Sequence, residues 1–384
     1  MKKLFSVLSL LLVLISCTSK DDTSDMLKAE SGIVIYPQEV KSSILDLNQR
    51  NLKEIILLLH NKVETEEIID HFKMNNDDYG LIINTLYGEG LVKKSNDGKF
   101  IPACMVVNSE NEKEIRSFTG EFGSKVAEII IDRYKIIRDS HKLMPGFAKE
   151  SFEDAAMFIL YNALLDKWQI KNIEEKFLRA KPPQRSGERY YLLINQRSNE
   201  EPSKQFSLLG NWCIEYEDYY LCTFGDVWTE DNFADISRDK LISDFGMSEN
   251  EDGTTFKKHL IDNLVKSIKG SIHSAPPDYA DAFTKYGIVK SNRLSLARIT
   301  KDENKTLFEI AEIITNDLIR YLDNQRPQLV KHYLQSVYKE ETSFREWSFW
   351  IYKYIIAEAA NRLIEKEYIK TDNSKLFNYI IAKE

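Results

Sequence analysis

At 384 residues the chain is long enough for two modest domains, and with 43% hydrophobic and 29% charged residues it is too polar for a polytopic membrane protein. A formal net charge of -8 gives an acidic surface that repels phosphate backbones and anionic lipid, so nucleic acid is not expected as a partner.

The chain opens with Met1, Lys2 and Lys3, continues through an apolar run from Leu4 to Ile15 interrupted by Ser6 and Ser9, and turns polar at Thr18. Basic start, short apolar run and polar continuation are the layout of a signal peptide over residues 1–16. The run of about a dozen residues is too short to span hydrocarbon, which takes roughly 20 as a helix. At its end Leu14, Ile15, Ser16 and Cys17 resemble the lipobox of bacterial lipoproteins. That resemblance implies acylation of Cys17 and cleavage before it, with an ordinary secretory signal as the alternative. Acyl chains contribute about 0.8 kcal/mol per buried CH₂, so a doubly or triply acylated cysteine holds a protein on a membrane. Lys20, Asp21 and Asp22 resemble the acidic tags that send some Gram-negative lipoproteins to the outer cell face; a solvated tether is the alternative. Residues 17–47 are expected to be anchor and flexible spacer, since Thr18–Ser31 holds few apolar residues.

Helical spacing begins with Leu52, Ile55, Ile56 and Leu59. A second helix is predicted from Thr65, with Glu66 and Glu67 in its first turn, and a third carries Tyr79, Ile82, Ile83 and Leu86 before Gly88 and Gly90. "LVKKSNDGKFIPACMVV" then reads as two strands around Asn96, Asp97 and Gly98. Three short helices and a hairpin over residues 48–107 resemble a winged helix-turn-helix domain. DNA binding does not follow, because from Thr65 to Gly90 one lysine faces six acidic residues where such a domain would meet phosphates. The unit is expected to serve as scaffold or protein-docking module.

Residues 108–235 read as helices followed by strands. Glu112 to Asn172 is mainly helical, and "RYYLLI", "FSLLGNWCIEY" and "YYLCTFG" read as strands of one antiparallel sheet. Residues 236–384 return to helical periodicity, ending in a helix at about Phe344–Lys366. An internal duplication is suggested by matching order: "GLVKKSN" with "GIVKSN", "VAEIII" with "IAEIIT", and Ser151–Phe152 with Ser343–Phe344. It predicts a second unit like the first at Ser237–Ile299, its hairpin enlarged by "HSAPPDYADAF".

Of the cysteines beyond Cys17, the simplest reading makes Cys104, Cys213 and Cys222 small buried residues. The alternative is a Cys213–Cys222 disulfide across a turn near Glu217 and Asp218. No nucleophile elbow, metal helix, phosphate loop or dinucleotide fingerprint is present. The six histidines stand alone, acid pairs such as Asp77–Asp78 read as turn punctuation, and Trp347, Phe349, Trp350, Tyr352 and Tyr354 read as packing. The expected class is α+β and mostly helical, with no catalytic residues, cofactor or metal site, and Cys17 as the single modification site. The leading functional expectation is an exported lipoprotein of the outer membrane or cell surface, non-catalytic, binding a protein or small ligand. Its rivals are an exported hydrolase whose site is assembled from distant residues, and a cytoplasmic winged-helix regulator.

Overall fold

The computed structural model describes residues 20–37, 44–145, 151–197, 208–216, 218–227, 232–269, 277–290, 293–294, 296–370 and 376–383. The expected signal segment and Cys17 lie outside these residues. The chain is α+β. Helix α1 (Lys20–Met26) and strand β1 (Ser31–Tyr36) come first. Next are three helices, α2 (Leu52–His60), α3 (Thr65–Phe72) and α4 (Asn76–Gly88), and a hairpin of β2 (Val92–Lys94) and β3 (Phe100–Pro102). Strand β4 (Met105–Val107) leads into the 33-residue helix α5 (Ser109–His141). Two short helices, α6 (Phe152–Met157) and α7 (Ile170–Asn172), each run on into a π-helical turn. A small ribbon of β5 (Gln184–Arg185) and β6 (Glu188–Arg189) precedes β7 (Tyr191–Gln196).

The second half follows the same core order, with β8 and α12 added and, among the described residues, no counterpart of α1 or of the β5–β6 ribbon. It opens on two strands, β8 (Leu209–Tyr216) and β9 (Tyr219–Asp226). Helices α8 (Arg238–Phe245), α9 (Gly253–Lys269) and α10 (Ala280–Lys285) follow, then the hairpin β10 (Val289–Lys290) and β11 (Arg293–Leu294). Strand β12 (Ala297–Ile299) leads into the 35-residue helix α11 (Lys301–Gln335). A short α12 (Tyr338–Glu341), the long α13 (Phe344–Glu365) and β13 (Leu376–Ala382) complete it.

The sheets carry the repetition to the level of register. In the first, β7 lies between antiparallel β1 and parallel β4, with Leu193 opposite both Val34 and Met105. In the second, β13 lies between antiparallel β9 and parallel β12, with Tyr379 opposite both Cys222 and Ala297. Helix caps match as well. Asn108 caps α5 and Thr300 caps α11, Ser151 caps α6 and Ser343 caps α13, and each later cap follows its earlier counterpart at the same distance along the chain. Gly90 and Gly287 both take the left-handed backbone, at φ 69° and 67°, where the third helix of each half turns into its hairpin. Among the described residues β8 has no counterpart in the first sheet.

The halves are interlaced. Helix α13, from the second half, covers the first sheet, where Phe349 stacks on Tyr191 with centroids 3.8 Å apart and meets Tyr36 at 5.3 Å. The α6 segment, from the first half, covers the second sheet through Phe158, which touches Phe377, Tyr379 and Phe224. These helices share one large core with α5 and α11. Two smaller cores lie on the outer faces of the sheets, one under α2–α4 and one under α8–α10. Alternation along β7 sends Leu193 to the large core and Leu192 and Ile194 to the outer one, so the strand is buried on both faces.

Several expectations are corrected. Residues 17–47 are not all spacer, because Ser31–Tyr36 pairs with β7 along its whole length and α1 precedes it. The β-branched "GIVIY" has the composition of an edge strand. "RYYLLI" does not join the strands of "FSLLGNWCIEY" and "YYLCTFG"; it centres the other, mixed sheet. The part of "HSAPPDYADAF" within the described residues builds α10 and the turn before it, and leaves the hairpin at Val289–Leu294 short. Within the C-terminal region, read as mainly helical, β13 is a central strand of the second sheet.

Helices α5 and α13 approach most closely at Gly123, where an added Cβ would sit 2.9 Å from the backbone nitrogen of Ala359 and clash with Glu358. Gly120, one turn earlier, has nothing within 4 Å of the same position. Overpacking a rigid core costs about 1–3 kcal/mol, whereas Gly to Ala on an open helix face gains about 0.5–1 kcal/mol. Gly123→Ala should therefore lower the urea midpoint and Gly120→Ala should raise it slightly; equal effects would refute this helix crossing.

Candidate functional site

Buried ionisable groups gather where the crossing α12–α13 segment meets the first half. His60, at the end of α2, holds Glu341 through Nδ1 at 2.8 Å and Asn111 Oδ1 through Nε2 at 2.7 Å, with Tyr338 stacked beside it. Arg185 donates to Glu346 at 2.7 Å and to the carbonyls of Ala103 and Tyr190, while Thr342 donates to the same carboxylate. Lys353 reaches Asp166 at 2.7 Å, both almost wholly buried. Arg116 joins Glu358 at 3.0 Å. Every acid in these pairs has a cationic partner, which is what burial demands. The groups act as clamps between halves. None lines the groove described below, whose walls come from other elements.

Burial raises the Cys104 thiol well above its ordinary range, so that residue is inert. The aromatic residues of α13 are interior, as their density implies. Asp77 and Asp78 sit in the first turn of α4, whose cap Asn75 accepts from the Asp78 amide. Among the described residues no group of three or more His, Cys, Asp or Glu is arranged to hold a metal, and no helix is long and apolar enough to cross a membrane. Sequence inspection missed the His60–Glu341 pair because its members are 281 positions apart.

Among the described residues one open feature of the surface is a groove of about 780 Å³ between β8, α8 and α9. Its floor is apolar, made by Ile214, Tyr216, Ile236, Leu241 and Ile261. Arg238, Lys257 and Lys258 stand on its helical side. Two acids also line it, and both are engaged: Glu215 pairs with Lys383 at 3.0 Å, and Asp252 accepts from the Thr255 amide and hydroxyl at the start of α9. Those bonds hold the Asp252 carboxyl below the usual carboxylate range. Local sequence positions the walls. Ser237 caps α8, and Gly246 at φ 71° ends it and lets the chain turn back toward α9.

A disulfide fixes the strand wall. Cys213 and Cys222 are opposite each other on β8 and β9 and are bonded, which corrects the simpler reading of both as free buried thiols. The Val227 amide donates to the Leu208 carbonyl, so the ladder's hydrogen-bonded pairs fall on the even-numbered residues of β8. Cys213–Cys222 is therefore a non-hydrogen-bonded pair, the closer kind, with Cα atoms 4.1 Å apart. Lys167 lies 3.3 Å from the Cys213 sulfur. Cys104 stays unpaired and buried, as read.

Comparison with protein-family models, with curated proteins and with solved structures finds no match in any of the three.

Two outcomes follow from this chemistry. Burial alone would lower the His60 pKa, but the Glu341 hydrogen bond and charge, with the Asn111 bond, hold it above the ordinary 6.5. Protonated His60 thus favours the native state: its contribution is complete below about pH 6.5 and fades as pH rises through the native value. Urea unfolding should show stability falling over that interval. His60→Gln should flatten the slope and cost about 3–5 kcal/mol at pH 6 by leaving Glu341 unpaired. Replacing Cys213 and Cys222 with serine should cost about 2–3 kcal/mol, the entropy of so short a loop, with the unfolding midpoint as readout.

Proposed function

We propose that this chain is an exported lipoprotein, acylated at Cys17 and held on the cell envelope, that binds an anionic, partly apolar ligand in the β8–α8–α9 groove without transforming it. The groove carries the reading: an apolar floor beside Arg238, Lys257 and Lys258 forms a cationic patch on a chain whose net charge is -8. Its volume falls in the range of roughly 300–1,000 Å³ common for ligand sites. Export is supported by the basic start, the apolar run and Leu14–Cys17, and independently by the disulfide, which persists in oxidising compartments. The buried acid and base groups are engaged in clamps between the halves, which favours binding over catalysis.

Both parts are testable. Globomycin, which blocks the lipoprotein signal peptidase, should make a larger precursor accumulate, and mass spectrometry of the native protein should find an acylated Cys17 as its first residue. An intact initiator end with a free thiol at Cys17 would reject the anchor. Octanoate, an anionic eight-carbon amphiphile, should bind the full-length protein saturably, and Lys258→Glu should weaken it about fivefold. Absence of saturable binding would reject the groove as a site for anionic amphiphiles.

A further inference from the structure

We infer that the groove's natural occupant is an extended acidic polypeptide segment that adds as a strand to the edge of β8 turned away from β9. This rests on the reading of the groove as the binding site and narrows its ligand to one class.

The edge of β8 decides between a peptide and an acyl chain. Since the even-numbered residues of β8 bond to β9, the amides and carbonyls of Cys213 and Glu215 point away from it, at the edge of the strand that contributes Ile214–Tyr216 to the groove. Strand β8 is the last of its sheet, and among the described residues no backbone bond reaches Cys213 or Glu215 from another segment. An acyl chain laid against this wall would strip water from those peptide groups and return no hydrogen bond. An extended peptide satisfies them at the strand repeat of about 3.4 Å per residue, with alternate side chains toward the apolar floor.

The internal repeat adds a second argument. Among the described residues the first sheet ends at β1, while the second has an additional antiparallel strand, β8, outside the equivalent β9. The disulfide pins that strand, so its outer edge is presented rigidly. Charge sets the composition of the guest: on the helical side Arg238, held by the Glu249 and Glu251 carbonyls, Lys257, held by the Ala234 carbonyl, and Lys258 outnumber Asp252, and Glu215 is paired with Lys383, so acidic side chains facing α8 and α9 are favoured. The groove borders only Ile214–Tyr216 of β8, which limits the paired core of the guest to a few residues.

The test uses the full-length protein in lipid nanodiscs and isothermal titration calorimetry. The probe is a terminally blocked heptapeptide alternating Glu and Val between threonines. A second copy of the probe carries N-methyl groups on alternate residues, which removes the donors needed for pairing without touching the protein. The plain probe should bind, and the N-methylated probe should bind at least tenfold more weakly. Glu215→Pro removes the outward amide and no ladder bond, and should weaken the plain probe at least tenfold. Glu215→Ala keeps that amide and should bind the plain probe at least tenfold more tightly than Glu215→Pro does. Equal affinity for the two probes, or unaltered binding by Glu215→Pro, would overturn strand addition. Binding of octanoate but not of the peptide would overturn the ligand class and leave the groove reading standing. Failure of both the plain peptide and octanoate to bind would remove the groove reading as well.

Discussion

The structure depends on one helix being buried on all sides away from its own half. Helix α13 is interior along nearly its whole length, and its polar residues are accommodated rather than avoided: Glu346 meets Arg185, Lys353 meets Asp166 and Glu358 meets Arg116. A helix without a polar face cannot rest on a surface, so it must be enclosed by several partners. Here the partners are the first sheet and α5, where Gly123 admits the backbone of α13 at van der Waals distance. The buried pairs penalise any slip of α13 along α5, because each displaced charge would be left in a low-dielectric interior.

That crossing makes the two repeats inseparable. Each half supplies the helical segment that covers the other half's sheet, so neither large-core face is complete within its own sequence. The outer faces behave differently. Each is closed locally by three short helices and forms its own smaller core. The molecule therefore has a shared rigid centre and two peripheral layers, and the periphery is where the copies differ. The groove belongs to such a difference: it is built on β8, the strand added to one copy alone.

The added strand joins the two parts of the proposed function. Its disulfide suits a protein working outside the reducing cytoplasm, and the same bond stiffens the wall against which a ligand would lie. On an acidic chain, the side of the groove that carries Arg238, Lys257 and Lys258 is where the proposed anionic guest would be drawn.

Much of the fold was legible in the amino-acid sequence, because periodicity, caps and turn glycines are local signals. The three helices from Leu52, the hairpin around Asn96–Gly98, the helix at Phe344 and the ordered echoes at Gly90 and Gly287 all emerge from neighbours a few positions apart. Even the duplication was traceable, though only as short matches. Pairing was not legible. The period of a strand states which faces are buried and not which strand lies beside it, so nothing local in "RYYLLI" separates it from the strands of the other sheet, and nothing local in "LFNYIIA" marks a central strand. The groove escaped for the same reason: Ile214, Leu241 and Ile261 are unremarkable core residues until β8, α8 and α9 assemble around an opening. Likewise His60 looks solitary until the crossing of α12 and α13 brings Glu341 to it. The sequence by itself determined the local elements, the acidic balance and the signal-like beginning. Tertiary structure alone decided which half covers which sheet, which cysteines bond and where a cleft opens, since those outcomes turn on contacts between residues far apart in the chain.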